Sequence, residues 1–318
     1  MQLVAIQMTS GADIDANLAY VASQLARVNT AIEPTLILLP ENFALFSNRD
    51  DYVAHAEPLG QGRVQQQLAD WAIKYQCWLV AGSFPILSDI EERIYTTSLA
   101  FDPTGELVQH YHKIHLFDAH VPAVSIVSNA EQGKAECLKE LKKELKPQTY
   151  KESDSFIAGE QIATFTIPAN TVGDSCVDNS AVGERGSGDI TVGMAICYDL
   201  RFPELFRALS AANADVLLLP AAFTHATGQA HWLPLLQARA IENQCYVLAA
   251  NQVGDHGGNR HTWGHSVILD PWGESLAQQT SSCGICCARL DKHKLVQVRA
   301  DIPILQHARF TASLKNKE

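Results

Sequence analysis

The chain has 318 residues, of which 47% are hydrophobic and 19% are charged, so it can bury a large core as one α/β unit or as two domains. Its net charge is −11, and no basic run occurs along it, which argues against nucleic acid or an anionic membrane as a partner. The first residues lack the features of a signal peptide, and no apolar run approaches the roughly 20 residues of a membrane helix. We therefore expect a cytoplasmic protein.

Short apolar runs bounded by turn residues predict strands that are buried on both faces. They lie at residues 3–8, 35–40, 77–84 and 97–102, and again at 191–197, 215–220, 245–251 and 265–270. Residues 17–28 and 203–212 carry the apolar stripe of amphipathic helices. Strands that alternate with helices favour a layered α/β fold.

The two halves of the chain repeat one another. LADWAIKYQCWLVAG (68–82) aligns with LQARAIENQCYVLAA (236–250), and TSLAFDPTGEL (97–107) matches HSVILDPWGES (265–275) at the same offset. Each unit is expected to end in a hairpin with an Asp-Pro-x-Gly turn. Two such sheets, packed face to face with helices outside, predict a four-layer α-β-β-α sandwich with an internal pseudo-twofold repeat. No clean linker separates the halves, so we expect a single domain over residues 1–318.

Two segments between the halves are predicted to be insertions on this core, near 121–150 and 169–189. The first contains AECLKELKKELKP (135–147), whose leucines at 138, 141 and 145 predict a short surface helix ended by Pro147. The second is rich in Gly, Ser and Asp and predicts a loop. Either insertion could form a lid over a site or a tolerated surface elaboration.

The eight cysteines are expected to be mostly free thiols in a reducing compartment. The cluster SSCGICCARL has the C-x-x-C spacing of a zinc or redox site, but no second ligand pair lies at a suitable spacing. Ile285 and the following residues predict a strand instead. We expect neither a metal nor a cofactor.

Three places on this frame carry groups suited to chemistry. LILLPENF (36–43) parallels VLLLPAAF (216–223), so Glu41 stands where the second half has alanine; a carboxylate directly after a buried strand is costly unless paired. Cys197 lies between a predicted strand and a predicted helix, an elbow that exposes a nucleophile. Lys113 is an ammonium within the strand-like HYHKIH (110–115). The histidines of that segment leave a Cys-His hydrolase open as an alternative.

LLPENF, YHKIHLFD and GMAICYDLRFPE, in this order, resemble the nitrilase-like carbon–nitrogen hydrolase superfamily, and the resemblance covers most of the chain. It implies the sandwich fold and a triad of Glu41 as general base, Lys113 as oxyanion donor and Cys197 as nucleophile. The Tyr198 backbone N–H would be a second oxyanion donor. A further active-site glutamate is expected at Glu152.

QARAIENQCYV, WGHSVILDPWGE and IPILQHAR are similar to the deaminated-glutathione amidase branch, close to ω-amidases. That resemblance implies a small, carboxylate-bearing amide as substrate, cleaved through a thioester. Arg201 is then the candidate partner of the substrate's carboxylate, with Phe223 and Thr224 also near the pocket; Arg201 could instead brace the elbow. Nitrile hydrolysis, ω-amidase activity, acyl transfer and a non-catalytic binding role are the alternatives. The family usually assembles, so we expect a homodimer or higher homo-oligomer.

Overall fold

The computed structural model describes residues 1–90, 93–128, 141–169 and 188–311. Seven helices occur in these segments: α1 (Ile14–Leu25), α2 (Arg49–His55), α3 (Arg63–Tyr75), α4 (Pro203–Ala211), α5 (His225–Asn243), α6 (Lys292–Asp301) and α7 (Ile304–His307). The strands up to residue 167 are β1 (Gln2–Gln7), β2 (Thr35–Leu38), β3 (Trp78–Leu87), β4 (Ile94–Phe101), β5 (Leu107–His112), β6 (Asp118–Val121), β7 (Val124–Ser128), β8 (Leu141–Leu145), β9 (Gln148–Lys151) and β10 (Ala163–Ile167). The later strands are β11 (Ile190–Met194), β12 (Val216–Ala221), β13 (Tyr246–Asn251), β14 (Val253–Asp255), β15 (His261–Trp263), β16 (Val267–Leu269), β17 (Ser275–Gln278) and β18 (Gly284–Arg289).

The strands form two six-stranded sheets with the same topology. The first has the order β18-β1-β2-β3-β4-β5 and the second the order β10-β11-β12-β13-β16-β17. In both sheets the successive pairings are antiparallel, parallel, parallel, antiparallel and antiparallel. The pseudo-twofold repeat predicted from the sequence is therefore present in the fold.

The sheets pack face to face because their strands alternate between two cores. In β1, Leu3 and Ala5 join a core shared with the second sheet, whereas Val4 and Ile6 pack with the residues of α1 and α3. This period of two, with both faces apolar, is what a strand between two layers requires. Because α4 and α5 pack on the outer face of the second sheet, the result is the predicted four-layer α-β-β-α sandwich.

Residues at equivalent positions in the two halves end the same helix and begin the same turn in each half. Gln76 and Gln244 each end the helix before a parallel strand, with φ of 48° and 51°, and each is followed by a buried cysteine that directly precedes the strand. Asp102 and Asp270 each begin a hairpin turn, and their Oδ1 atoms accept hydrogen bonds from the backbone N–H groups two and four residues later. The sequence repeat therefore reflects shared helix ends and turns.

The predicted helix over 135–147 is wrong for residues 141–145, which form β8 and pair antiparallel with β7. A helix of this length is marginal in water by itself, and the β-branched VSIVS segment offers these residues a strand partner. Residues 135–140 of that prediction lie outside the described residues, as does most of the predicted loop over 169–189. Beyond β7 and β8, the first insertion contains β6 and β9, which pair with each other.

The cysteine cluster lies on an ordinary strand. Cys286 on β18 is buried against the core and Cys287 is exposed, as alternation along a strand dictates. No helix in the described part of the chain has the length and apolarity to cross a bilayer.

The pair of repeated glutamines gives a matched stability test. Gln244 is 3% exposed, and its amide donates to the carbonyls of Val298 at 3.1 Å and Ile302 at 2.7 Å, which ties α6 to the end of α5. Gln76 is exposed and bonds to Ile73 and Pro103. Gln244→Ala should lower the free energy of unfolding by about 1–3 kcal/mol, because it removes the two hydrogen bonds that join α6 to the end of α5. Gln76→Ala, the control in denaturant unfolding, should have a clearly smaller effect; equal losses would contradict this account.

Candidate active site

Glu41, Lys113 and Cys197 lie far apart in the sequence but meet in one cleft. Glu41 follows β2, Lys113 follows β5 and Cys197 follows β11, so each stands just beyond a strand. The Lys113 Nζ atom lies 2.9 Å from Glu41 Oε1. The structure therefore brings together the three residues that the sequence singled out.

Lys113 is a buried cation held by two carboxylates. Only 2% of its surface is exposed, and its Nζ also donates to both oxygens of Glu152 at 2.9 Å. Burial by itself would lower the pKa of Lys113, but Glu152 and Glu41 outweigh it and raise the pKa well above its usual value. The two carboxylates therefore favour the ammonium form of Lys113.

Glu152 begins a short 3-10 helix directly after β9. Besides Lys113, it accepts a hydrogen bond from the Phe117 backbone N–H, 2.6 Å from Oε2. Burial and the neighbouring Glu41 carboxylate raise the pKa of Glu152, and Lys113 opposes them. The first insertion thus ends in a residue of the charged cluster.

Cys197 occupies a sharp turn between β11 and α4. Its φ is 45°, a left-handed conformation that a non-glycine residue adopts at some cost in energy. A 3-10 helix over Cys197–Arg201 follows, and Pro203 then occupies the first turn of α4. This geometry points the thiol out of the strand end, where it lines the cleft.

The surroundings of Cys197 favour the thiol over the thiolate. Burial raises its pKa well above the usual value, and the charge of Glu41 and a hydrogen bond to it raise the pKa further. The positive charge of Lys113 lowers the pKa of the thiol, but by less than burial and Glu41 raise it. The charge of Lys113 is therefore not enough to activate the thiol, which needs a base, and the carboxylate of Glu41 is next to it. The histidines of HYHKIH are engaged elsewhere: His112 contacts Thr97 and His115 contacts Asp199.

Glu41 is fixed from the second half of the chain. Its Oε2 accepts a hydrogen bond from the Ala222 backbone N–H at 2.8 Å, and its carbonyl accepts one from the Gln252 side chain at 2.9 Å. Ala222 follows β12, the repeat partner of β2. The asymmetry seen in the sequence thus has a structural counterpart, since one half supplies the carboxylate and the other supplies its donor.

Asp199 joins the segment of the lysine to the segment of the thiol. It is fully buried and accepts hydrogen bonds from the Tyr111 hydroxyl at 2.8 Å and the Ile196 backbone N–H at 2.8 Å. His115 contacts it twice, through its backbone N–H at 3.1 Å and through Nδ1 at 2.7 Å. Because Lys113 lies midway between Tyr111 and His115, this carboxylate fixes Lys113 relative to the elbow of Cys197.

The triad opens into a cavity of about 290 Å³, near the lower end of small-molecule sites, which range over roughly 300–1,000 Å³. Aromatic side chains form much of its wall: Phe46, Tyr52, Phe117, Tyr150 and Phe156. Besides Lys113, three cationic side chains line it: Arg49, Lys151 and Arg260. Tyr150 and Lys151 belong to β9, so the base of the first insertion contributes a wall of the cavity. Such a cavity suits a small, anionic, partly apolar molecule.

Only some of the residues that were predicted to contact the substrate line the cavity. Thr224 lines the cavity, but Arg201 and Phe223 are not among its lining residues. The Arg201 guanidinium lies 5.1 Å from the ring centroid of the buried Phe223 and contacts His231 Nδ1 at 3.2 Å. Arg201, which was expected in the pocket, therefore makes its described contacts with Phe223 and His231. The Tyr198 ring packs edge-on against Phe117, while its backbone N–H belongs to the first turn after the thiol.

Sequence reasoning missed Arg260, Arg49 and the role of Asp199. Arg260 lies in the glycine-rich GDHGGNRHTW segment, which gives no periodic signal. Asp199 could have drawn attention as an acidic residue two positions after the thiol, but its partners Tyr111 and His115 are more than 80 residues away. The repeat did offer one signal, since the alignment of LLPENF with LLLPAAF places Ala222 beside the cleft.

Comparison with known proteins places the chain in a family. The family model described as carbon-nitrogen hydrolase matches residues 3–300. A deaminated glutathione amidase of Yersinia enterocolitica is 38% identical over 310 residues, covering 97% of this chain and 93% of that protein. One from Synechocystis sp. is 36% identical over 307 residues, covering 96% and 97%.

A solved structure agrees with these relatives. Saccharomyces cerevisiae Nit3, a member of branch 10 of the nitrilase superfamily, superposes with a TM-score of 0.74 at 26% identity, covering 98% of this chain and 97% of that one. The chain therefore belongs to the carbon–nitrogen hydrolase family of the nitrilase superfamily and is a hydrolase of carbon–nitrogen bonds other than peptide bonds.

Proposed function

We propose that this protein is a cysteine-dependent amidase that hydrolyses deaminated glutathione, a small amide with a carboxylate at each end, through a thioester on Cys197. The observation that carries the proposal is the contact of Lys113 with both Glu41 and Glu152 beside a half-buried thiol. The names of the relatives support this choice of substrate.

In the first half of the reaction, Glu41 takes the proton of the Cys197 thiol and the sulfur attacks the amide carbonyl carbon. Lys113 and the Tyr198 backbone N–H donate to the oxyanion that forms. Glu41 then gives its proton to the amide nitrogen, the C–N bond breaks, and a free amine leaves. A thioester between the acyl group and Cys197 remains.

In the second half, Glu41 takes a proton from a water molecule as its oxygen attacks the thioester carbon. The same donors hold the second oxyanion, and the C–S bond breaks as the sulfur recovers a proton from Glu41. Glu152 keeps Lys113 in place throughout, which its two 2.9 Å contacts with the ammonium favour. The reaction yields a carboxylic acid and an amine and needs no cofactor.

The cationic wall favours a carboxylate-bearing amide over a neutral nitrile. Arg49, Lys151 and Arg260 line the cavity with the triad, and a charged pocket gains nothing from a neutral substrate. Release of amine from α-keto amides but not of ammonia from simple nitriles would support this choice, and the reverse pattern would reject it.

We also place the enzyme in the cytoplasm, since the six cysteines of the described segments are free thiols.

A groove on the outer face of the second sheet favours assembly. It has a volume of about 920 Å³ and runs between α4, α5 and the C-terminal segment. Ile241, Trp272 and Phe310 line it and are 53%, 55% and 92% exposed. We propose that a second copy of the chain covers this apolar surface in a homodimer.

The first test concerns the nucleophile. Cys197→Ala should abolish detectable amidase turnover without changing the circular dichroism spectrum, because no other group can form the thioester. Cys287→Ala is the control, since that thiol is exposed on β18 and outside the cavity; its turnover should equal that of the unsubstituted enzyme. Turnover retained by Cys197→Ala would refute the mechanism.

The second test separates the roles of Glu41 and Lys113. Glu41→Gln and Lys113→Met should each lower kcat by about 100-fold or more. The pH dependence of Cys197 alkylation should shift in opposite directions in the two variants. Glu41 raises the pKa of the thiol and Lys113 lowers it, so alkylation should shift to lower pH in Glu41→Gln and to higher pH in Lys113→Met. Mass spectrometry measures the extent of Cys197 alkylation at each pH. Shifts in the same direction in both variants would contradict these assignments.

The third test concerns assembly, and the repeat supplies its control. Ile241→Glu places a charge in the groove and should convert the dimer into a monomer in light scattering. Ile73 occupies the equivalent position on α3 and is 47% exposed, but it is not among the groove residues. Ile73→Glu should therefore leave the dimer intact. A monomeric unsubstituted protein would reject the proposal.

A further inference from the structure

Arg260 is held at the edge of the active-site cavity by contacts outside its own loop. It lies between β14 and β15 and is half-buried. Its Nη1 atom donates to the carbonyl of Ser47, and its guanidinium carbon lies 5.7 Å from the centroid of the Phe46 ring. These two contacts, together with the loop's own backbone bond from the Arg260 N–H to the Gly257 carbonyl at 2.9 Å, fix the position of the side chain.

Arg260 brings a positive charge to the wall of the active-site cavity. Among the described residues, none of the ion pairs includes Arg260, although it lines the same cavity as Glu41, Lys113 and Cys197. The Ser47 carbonyl uses only one edge of the guanidinium. The remaining N–H groups have the fork geometry that pairs with a carboxylate through two parallel hydrogen bonds.

The surroundings of Arg260 place it on the side of the general base. Its partners Phe46 and Ser47 belong to the segment that directly follows Glu41. The chain that reaches β14 passes through Gln252, whose side chain donates to the Glu41 carbonyl. Glu41, Phe46 and Arg260 line the same cavity. Because the proposed mechanism has Glu41 protonate the leaving nitrogen, we assign the substituents of that nitrogen to this part of the cavity.

Resting on the proposed function, we propose that Arg260 binds the carboxylate on the leaving-amine side of the substrate. Deaminated glutathione has two carboxylates, one on the α-keto acyl arm and one on the terminal glycine of the amine arm. The glycine carboxylate is the one that we assign to Arg260. The enzyme would thus recognise a carboxylate-bearing peptide amine as well as an acyl group.

Binding to an inactive enzyme tests this assignment without hydrolysis. Cys197→Ala is titrated calorimetrically with deaminated glutathione and with its analogue in which the glycine carboxylate is a carboxamide. Adding Arg260→Met should weaken binding of the acid by about 10- to 100-fold, the usual cost of losing a charge-assisted pair. Binding of the carboxamide should change by less than about twofold. Arg63→Met, which removes an exposed arginine paired with Asp15, is the charge-matched control and should affect neither ligand.

Equal weakening of both ligands, weakening of neither, or no measurable binding of the acid to Cys197→Ala would overturn the assignment. Turnover of deaminated glutathione by the unsubstituted enzyme is measured separately. If turnover is absent, the proposed function fails, while the titration still decides whether Arg260 selects the glycine carboxylate.

Discussion

One buried ammonium organises this active site. Lys113 is almost inaccessible to water, and an unpaired charge there would be prohibitively costly. Glu41 and Glu152 remove that cost, so all three side chains are held in one geometry before a substrate enters. The cluster has one negative charge in excess, which keeps the thiol protonated and makes the same carboxylate the natural acceptor of its proton. Stability of the cluster and its chemistry therefore have one electrostatic origin.

The cleft exists because both halves of the chain contribute to it. The first half supplies Glu41 and Lys113, and the second supplies Cys197 and the backbone donor of Ala222. Asp199 closes this arrangement, since its single carboxylate accepts from residues on either side of Lys113 and from the residue before the thiol. Face-to-face packing of the sheets sets the coarse positions, and these bonds across the halves set the fine ones.

Much of the frame was predictable because its signals are local or repeated. Apolar runs and the duplicated turns predicted the strands and the sandwich. Each triad residue stands at a strand end, where the sequence changes from an apolar or strand-like run to polar residues. Other features depend on contacts between distant segments. Whether Arg201 faces the cavity or packs on Phe223 is decided by tertiary packing, and an arginine such as Arg260 in a glycine-rich loop gives no pattern. The strand at 141–145 was missed because pairing outweighed a weak helical stripe.

The two halves share a frame, but they differ in what is attached to it. The ribbon of β6 and β9 and the loop between β14 and β15 are excursions from the repeat, and both reach the cavity wall. The reacting groups instead stand at the ends of strands within the repeat. Changes in these attachments can therefore alter which molecules fit the cavity. The reacting groups at the strand ends would stay the same, so substrate preference and catalysis can vary independently.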